Sequence, residues 1–119
     1  MPQPERLIEV ALLRQLNSLG VFCWKTKTQG TYDAKLGRYR KSSPLYRKGV
    51  ADIIGIYKGR PLAIEVKTPK GRLTPEQATF LRQFQDAGGI ALVIRSLDEL
   101  RARLLNAPGS PINDEKAQA

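Results

Sequence analysis

The sequence predicts one α/β domain whose elements run in the order α-β-β-β-α-β-α. Three observations carry this. Ile8, Leu12 and Leu16 recur at helical spacing near the start. Two Val/Ile-rich runs flank a Lys58-Gly59 turn in the middle, and two helix-start signatures bracket the apolar run "IALVI" in the second half. At 119 residues the chain can build a single core and is too short for two.

The first helix is expected over residues 4 to 19, with Leu19 closing the apolar stripe, Pro4 suited to its first turn and Gly20 to its stop. "VFCWKTK" at 21 to 27 reads as a strand, and residues 28 to 48 as an irregular basic loop with Tyr32, Tyr39 and Tyr46 among its charges. Residues 51 to 57 and 61 to 68 form a hairpin. Thr74, Pro75 and Gln77 then give an N-cap hydroxyl, a proline at the first helical position and a glutamine completing a capping box, and the helix buries Ala78, Leu81 and Phe84 before Gly88-Gly89. "IALVI" at 90 to 94 is expected as a strand covered on both faces. Ser96 and Glu99 spell a second capping box ahead of a last helix carrying Leu97, Leu100 and Leu104. The domain spans 1–107, and 108–119 has too little apolar surface to offset ordering, so a disordered tail is expected there.

Composition narrows the function. Twenty Lys and Arg against eleven Asp and Glu give a net charge of +9, which points to a polyanionic partner. No apolar run approaches the roughly 20 residues of a membrane span, and no signal peptide opens the chain, so a cytoplasmic or nucleoid-associated protein is expected. The absence of histidine removes histidine triads and His-dependent zinc sites. The single cysteine, Cys23, lies in an apolar string and reads as a small packed side chain.

The hairpin concentrates the chemistry. With a two-residue turn at Lys58-Gly59, paired residue numbers sum to 117, which sets Ile53 opposite Ile64 and Asp52 opposite Glu65. Directly opposed β-carbons stand about 4.5–5.5 Å apart, where two carboxylates repel. A divalent cation turns that repulsion into a site. Lys67, two residues past Glu65 and about 6.6 Å along the same strand face, reaches the same point. Carboxylates without His or Cys select hard ions, hence Mg2+ with Mn2+ as a substitute, and such an ion supplies the Lewis acidity that phosphodiester hydrolysis needs. The competing reading of Glu65 and Lys67 is a solvated strand face; the opposed Asp52, the hairpin and the basic charge outweigh it.

Gly49, Val50, Asp52 and the later Glu65-Val66-Lys67, followed by "TPKGRLTPEQ", resemble the PD-(D/E)xK nuclease superfamily, most closely its VRR-NUC branch, over about residues 5 to 95. Members usually carry Pro immediately before the Asp, where this chain has Ala51. The resemblance implies a restriction-endonuclease-like core, a mixed sheet flanked by helices. It also implies Asp52, Glu65 and the Val66 carbonyl as metal ligands, Lys67 as the catalytic lysine, and an acid on the first helix. Glu9 is taken as that acid, because it stands eleven positions before Gly20 as in archaeal Holliday-junction resolvases; Glu5 is the competitor, and either also suits the helix dipole. Gln77 fits both a place near the active site and a plain helix cap. Thr68 resembles the small polar residue often found after the lysine.

The expected activity is a metal-dependent DNA endonuclease, structure-selective for branched, junction or flap DNA because so small a domain has little surface for reading bases. The superfamily's resolvases suggest a homodimer. DNA contact is assigned to Lys35, Arg38, Arg40, Lys41, Arg47 and Lys48, extended by Lys25 and Lys27 and flanked by Lys70 and Arg72. The rivals are a nucleic-acid-binding module of the same fold without the reaction, and a scaffold for anionic surfaces that relies on charge alone.

Overall fold

The computed structural model describes residues 4–26, 32–35, 37–39 and 47–105, with 32, 33, 38, 39 and 105 described as backbone alone. Lys27, Arg40, Lys41, Tyr46 and the segment 108–119 lie outside the described residues.

Helix α1 spans Glu5–Ser18 and buries Ile8, Glu9, Leu12 and Leu16. Pro4 stands one position earlier than expected, as the N-cap, and Leu19 is exposed rather than part of the stripe, since by then the chain has left the helix for the Gly20 turn at φ +78°. Strand β1 is Phe22–Lys25. The basic region, expected as irregular loop, contains a short antiparallel pair, β2 (Tyr32–Asp33) with β3 (Arg38–Tyr39). Its strands of two residues are too short to show a period in the sequence.

Strands β4 (Ile53–Tyr57) and β5 (Arg60–Val66) pair in the expected register, with Ile53 opposite Ile64 and Tyr57 opposite Arg60. Lys58 and Gly59 both have positive φ, at 49° and 80°, the signature of a type I′ turn whose twist matches that of the flanking strands. Helix α2 spans Pro75–Asp86 and starts on a complete capping box: Thr74 accepts from the Gln77 N–H at 3.1 Å and Gln77 Oε1 accepts from the Thr74 N–H at 2.9 Å. It buries Gln77 and Leu81. Ala78, expected in the core, is exposed, because it lies one step around the helix from that Gln77–Leu81 line.

Strand β6 (Ile90–Ile94) runs parallel to β5 and completes a mixed sheet of order β1-β4-β5-β6. Helix α3 (Leu97–Leu100) continues as a π-helical turn, Arg101–Leu105. Its expected capping box is half formed. Ser96 Oγ accepts from the Glu99 N–H at 3.1 Å, but Glu99 Oε1 accepts at 2.6 Å from the N–H of Arg95, one residue before the N-cap.

The core lies mainly on one face of the sheet, where Ile8, Leu12 and Leu16 of α1 meet Ile53, Ile64, Leu92 and Ile94, with Leu100 and Leu104 beside them. The other face carries a smaller cluster of Ala51, Ala63 and Leu81 under α2.

Candidate active site

The β4–β5 ladder ends at Ile53, and the acids stand at that end. Toward β1 the ladder continues one step, the Thr26 N–H donating to the Asp52 carbonyl at 2.9 Å and the Thr26 hydroxyl to the Ala51 carbonyl. Toward β5 a side chain replaces the backbone: Asp52 Oδ2 accepts from the Val66 N–H at 2.8 Å. The next amide, Lys67 N–H, donates the other way, to Ile94 of β6. Since the N–H and C=O of a strand residue face the same neighbour, the Val66 carbonyl faces the Asp52 side.

Glu65 is fully buried, at 0% exposed, and Asp52, Lys67 and Gln77 are buried around it. Lys67 Nζ lies 3.8 Å from Glu65 Oε2, and Gln77 Nε2 donates to the same oxygen at 3.1 Å. Gln77 thus makes two contacts at once. Its amide oxygen caps α2 while its amide nitrogen steadies Glu65. Burying these groups is costly unless they pair, and the ammonium, amide and backbone N–H supply that pairing.

Asp52, Glu65, Val66, Lys67 and Gln77 are therefore brought to one strand end. Glu9 is not gathered with them. It is buried on α1, and its Oε1 lies 3.3 Å from Lys25 Nζ. Lys25 is opposite Ile53, a core residue of the α1 face, whereas Asp52 and Glu65 alternate onto the α2 face with Ile54 and Ala63. Glu5 is exposed in the first turn of α1. Among the described residues no group of three or more His, Cys, Asp or Glu side chains is assembled. The donors at hand, two buried carboxylates and a carbonyl, are all oxygen, a set that suits a hard divalent ion and not zinc.

Of the basic residues assigned to DNA, Lys35, Arg47, Lys48, Lys70 and Arg72 are exposed. Lys25 is exposed but engaged by Glu9, and Arg47 bonds the Gln83 side chain. Arg47 and Lys48 border a cavity of about 370 Å³ against α2, walled by Phe80 and Gln83. Burial pushes the Cys23 thiol up, which favours its protonated form.

Three residues support the site; Thr26 and Arg95 had no signal in the sequence as read, and Gly49 entered only as part of the motif. Thr26 holds the Ala51–Asp52 backbone. Arg95 Nη1 donates to the carbonyls of Thr68 and Gly71 at 2.9 and 2.8 Å, pinning the loop that follows Lys67. Gly49, at φ +75°, lies so close to α2 that a Cβ would collide with the Glu76 backbone and stand 2.8 Å from Gln77 N. The segment leading to Asp52 and the helix bearing Gln77 therefore meet backbone to backbone.

A model of the VRR-NUC domain family matches residues 4–98. A solved structure described as a VRR_NUC domain protein is similar over 97% of this chain and 95% of its own, with a TM-score of 0.61 and 16% identity, a likeness of fold. No curated protein matches the sequence.

Proposed function

The chain belongs to the VRR-NUC domain family, a nuclease-type family whose substrates are nucleic acids, and we propose that it is a metal-dependent endodeoxyribonuclease selective for branched, junction or flap DNA. The observation that supports this reading is the convergence of Asp52, Glu65 and Lys67 in a buried corner at one strand end. Asp52, Glu65 and the Val66 carbonyl would hold Mg2+ or Mn2+, which when bound supplies Lewis acidity toward a phosphate oxygen. The protein's own groups do the rest. The Val66 N–H and the Gln77 amide fix the two carboxylates, so no reorganisation is needed as charge develops. The Lys67 ammonium offsets negative charge growing on the phosphate and orients the attacking water. Exposed Lys35, Arg47, Lys48, Lys70 and Arg72, joined by Arg38, Arg40 and Lys41, hold the DNA backbone. The geometry supports a lesser part for Glu9, holding Lys25, and Glu9→Gln tests whether cleavage needs its charge. Two copies would suit a branched substrate with two cut sites.

The test is a cleavage assay over linear, flap and four-way DNA with and without magnesium, paired with calorimetry. Magnesium should raise the melting temperature of the parent protein by linkage and leave that of Asp52→Asn unmoved. Cleavage of branched DNA only with magnesium is the expected result. Binding of DNA without cleavage under any divalent ion would favour the inactive-module reading, and no preference for DNA over anionic lipid would favour the scaffold.

A further inference from the structure

Phe22 is 70% exposed and Trp24 46%, with ring centroids 5.5 Å apart and planes inclined at 59°. Both lie on β1, and the register sets Phe22 opposite Ile56 and Trp24 opposite Ile54. The next pair in the same alternation is Thr26 and Asp52, joined by the Thr26 N–H bond to the Asp52 carbonyl. The two rings and Thr26 therefore line one sheet face at steps of about 6.6 Å along the strand, with Asp52 beside Thr26 on β4. Helix α2 packs over β5 and β6, and Ile56 beside Phe22 is 49% exposed, so this side of the face is open to a partner.

We propose that this aromatic face stacks unpaired nucleobases, so that the nucleic-acid strand delivered to Asp52 and Glu65 arrives single-stranded. The inference rests on the nuclease reading for its direction toward the carboxylates. Open rings on a sheet face offer what splayed bases need, and every base has a face to stack. Bases inside a duplex already stack on one another and present none. Charge favours the same occupant: at +9 the chain attracts a polyanion. A strand anchored by Phe22 and Trp24 runs along β1 toward the end of the sheet that carries Asp52, which gives a physical basis for preferring flaps and junction openings.

Trp24 is the only tryptophan, so its fluorescence reports this face alone. The full-length protein is titrated in EDTA with a dT oligomer of roughly 12 nucleotides, within the usual single-strand site sizes, and with a blunt duplex of the same length. Saturable quenching by the single strand and none by the duplex is expected. Phe22→Ala, with its fold checked by circular dichroism, should weaken single-strand binding roughly 5- to 150-fold, the range that one lost base–aromatic stack spans, and leave duplex binding unchanged. Phe22→Tyr should restore it. Equal quenching by both ligands, or equal losses for both in Phe22→Ala, would overturn the proposal. So would self-association in sedimentation that Phe22→Ala abolishes while single-strand affinity stays constant, which would make the patch a contact between copies. Quenching in EDTA with no cleavage under any divalent ion would leave this inference standing and remove the catalytic one, and cleavage in magnesium without quenching in EDTA would do the reverse.

Discussion

On the α1 side of the sheet, Ile8, Leu12, Leu16, Ile53, Ile64 and Ile94 interlock in a core with the Glu9–Lys25 pair at its rim. On the α2 side the buried apolar residues are Ala51, Ala63 and Leu81, and beside them Asp52, Glu65, Lys67 and Gln77 are buried. One face gains free energy from excluded water; the other carries groups that lose solvation when buried. The contrast teaches that apolar packing and buried polar side chains are separated by the thickness of a sheet. Val66 shows the economy of it, with its side chain in the α1 core and its N–H on Asp52.

That separation can be broken by substitutions that affect one face and spare the other. The largest effect is expected from Asp52→Asn and Glu65→Gln, which keep shape and remove charge. Each should lower single-turnover cleavage by about a thousandfold, the scale of losing several kcal/mol of charge stabilisation. Urea unfolding without metal should show Asp52→Asn within about 1 kcal/mol of the parent, because relief of like-charge repulsion offsets a weaker bond to the Val66 N–H, and Glu65→Gln less stable, because Lys67 loses its buried counter-charge. Loss of stability in both would place the carboxylates among the supports of the fold.

Lys67→Ala comes next, with cleavage falling roughly 10²- to 10³-fold while DNA affinity measured in calcium stays close to that of the parent. Lys67→Arg should not rescue the rate, since a planar fork replaces a compact charge. Rescue by arginine, with rate and affinity moving together, would reassign Lys67 to general phosphate binding.

The converse comes from Leu12→Ala on the α1 face. A fully buried leucine lost there should cost about 2–5 kcal/mol in urea unfolding, with the cleavage rate per folded molecule preserved. A matched fall in rate would show that the two faces are coupled.

The smallest pair of effects sharpens the contrast within one motif. Gln77→Glu retains an acceptor for the Thr74 N–H but replaces the donor to Glu65 with a like charge. It should cost about 1–3 kcal/mol of stability and depress cleavage as well. Glu99→Gln, at a half-formed box away from the carboxylates, should move stability by less than about 0.5 kcal/mol and leave cleavage unchanged.

These two helix starts also show what could be read in the sequence. Thr74-x-x-Gln77 and Ser96-x-x-Glu99 carry the same local signature. Each hydroxyl caps as the spacing implies, because that bond is made within one turn. What the third residue's side chain does beyond that differs: Gln77 closes its box with its oxygen and donates its nitrogen to the distant Glu65, while Glu99 turns to the Arg95 N–H one residue before the cap. The hairpin register was legible for a similar reason: Lys58-Gly59 is a local turn, and its type sets the pairing of every residue behind it. Long-range choices were not legible. Nothing local distinguishes a Glu9 that meets Lys25 from one that meets Asp52, or marks Arg95 as the anchor of the 68–71 loop. The exposure of Phe22 and Trp24 likewise depends on how far α2 reaches across the sheet, a distance that the apolar string "VFCW" does not encode.

The bond from the Val66 amide to Asp52 gives the molecule an internal clock for amide hydrogen exchange. Its neighbours in β5 are protected by backbone carbonyls, whose acceptor strength is constant, but this one proton is protected by a carboxylate that the proposed ion would share. Opening at that position needs only a rotation of the Asp52 side chain, while opening at Ile64 needs the ladder to part. The Val66 proton should therefore exchange independently of the rest of the strand, at a rate set by what the Asp52 carboxylate is doing at that moment.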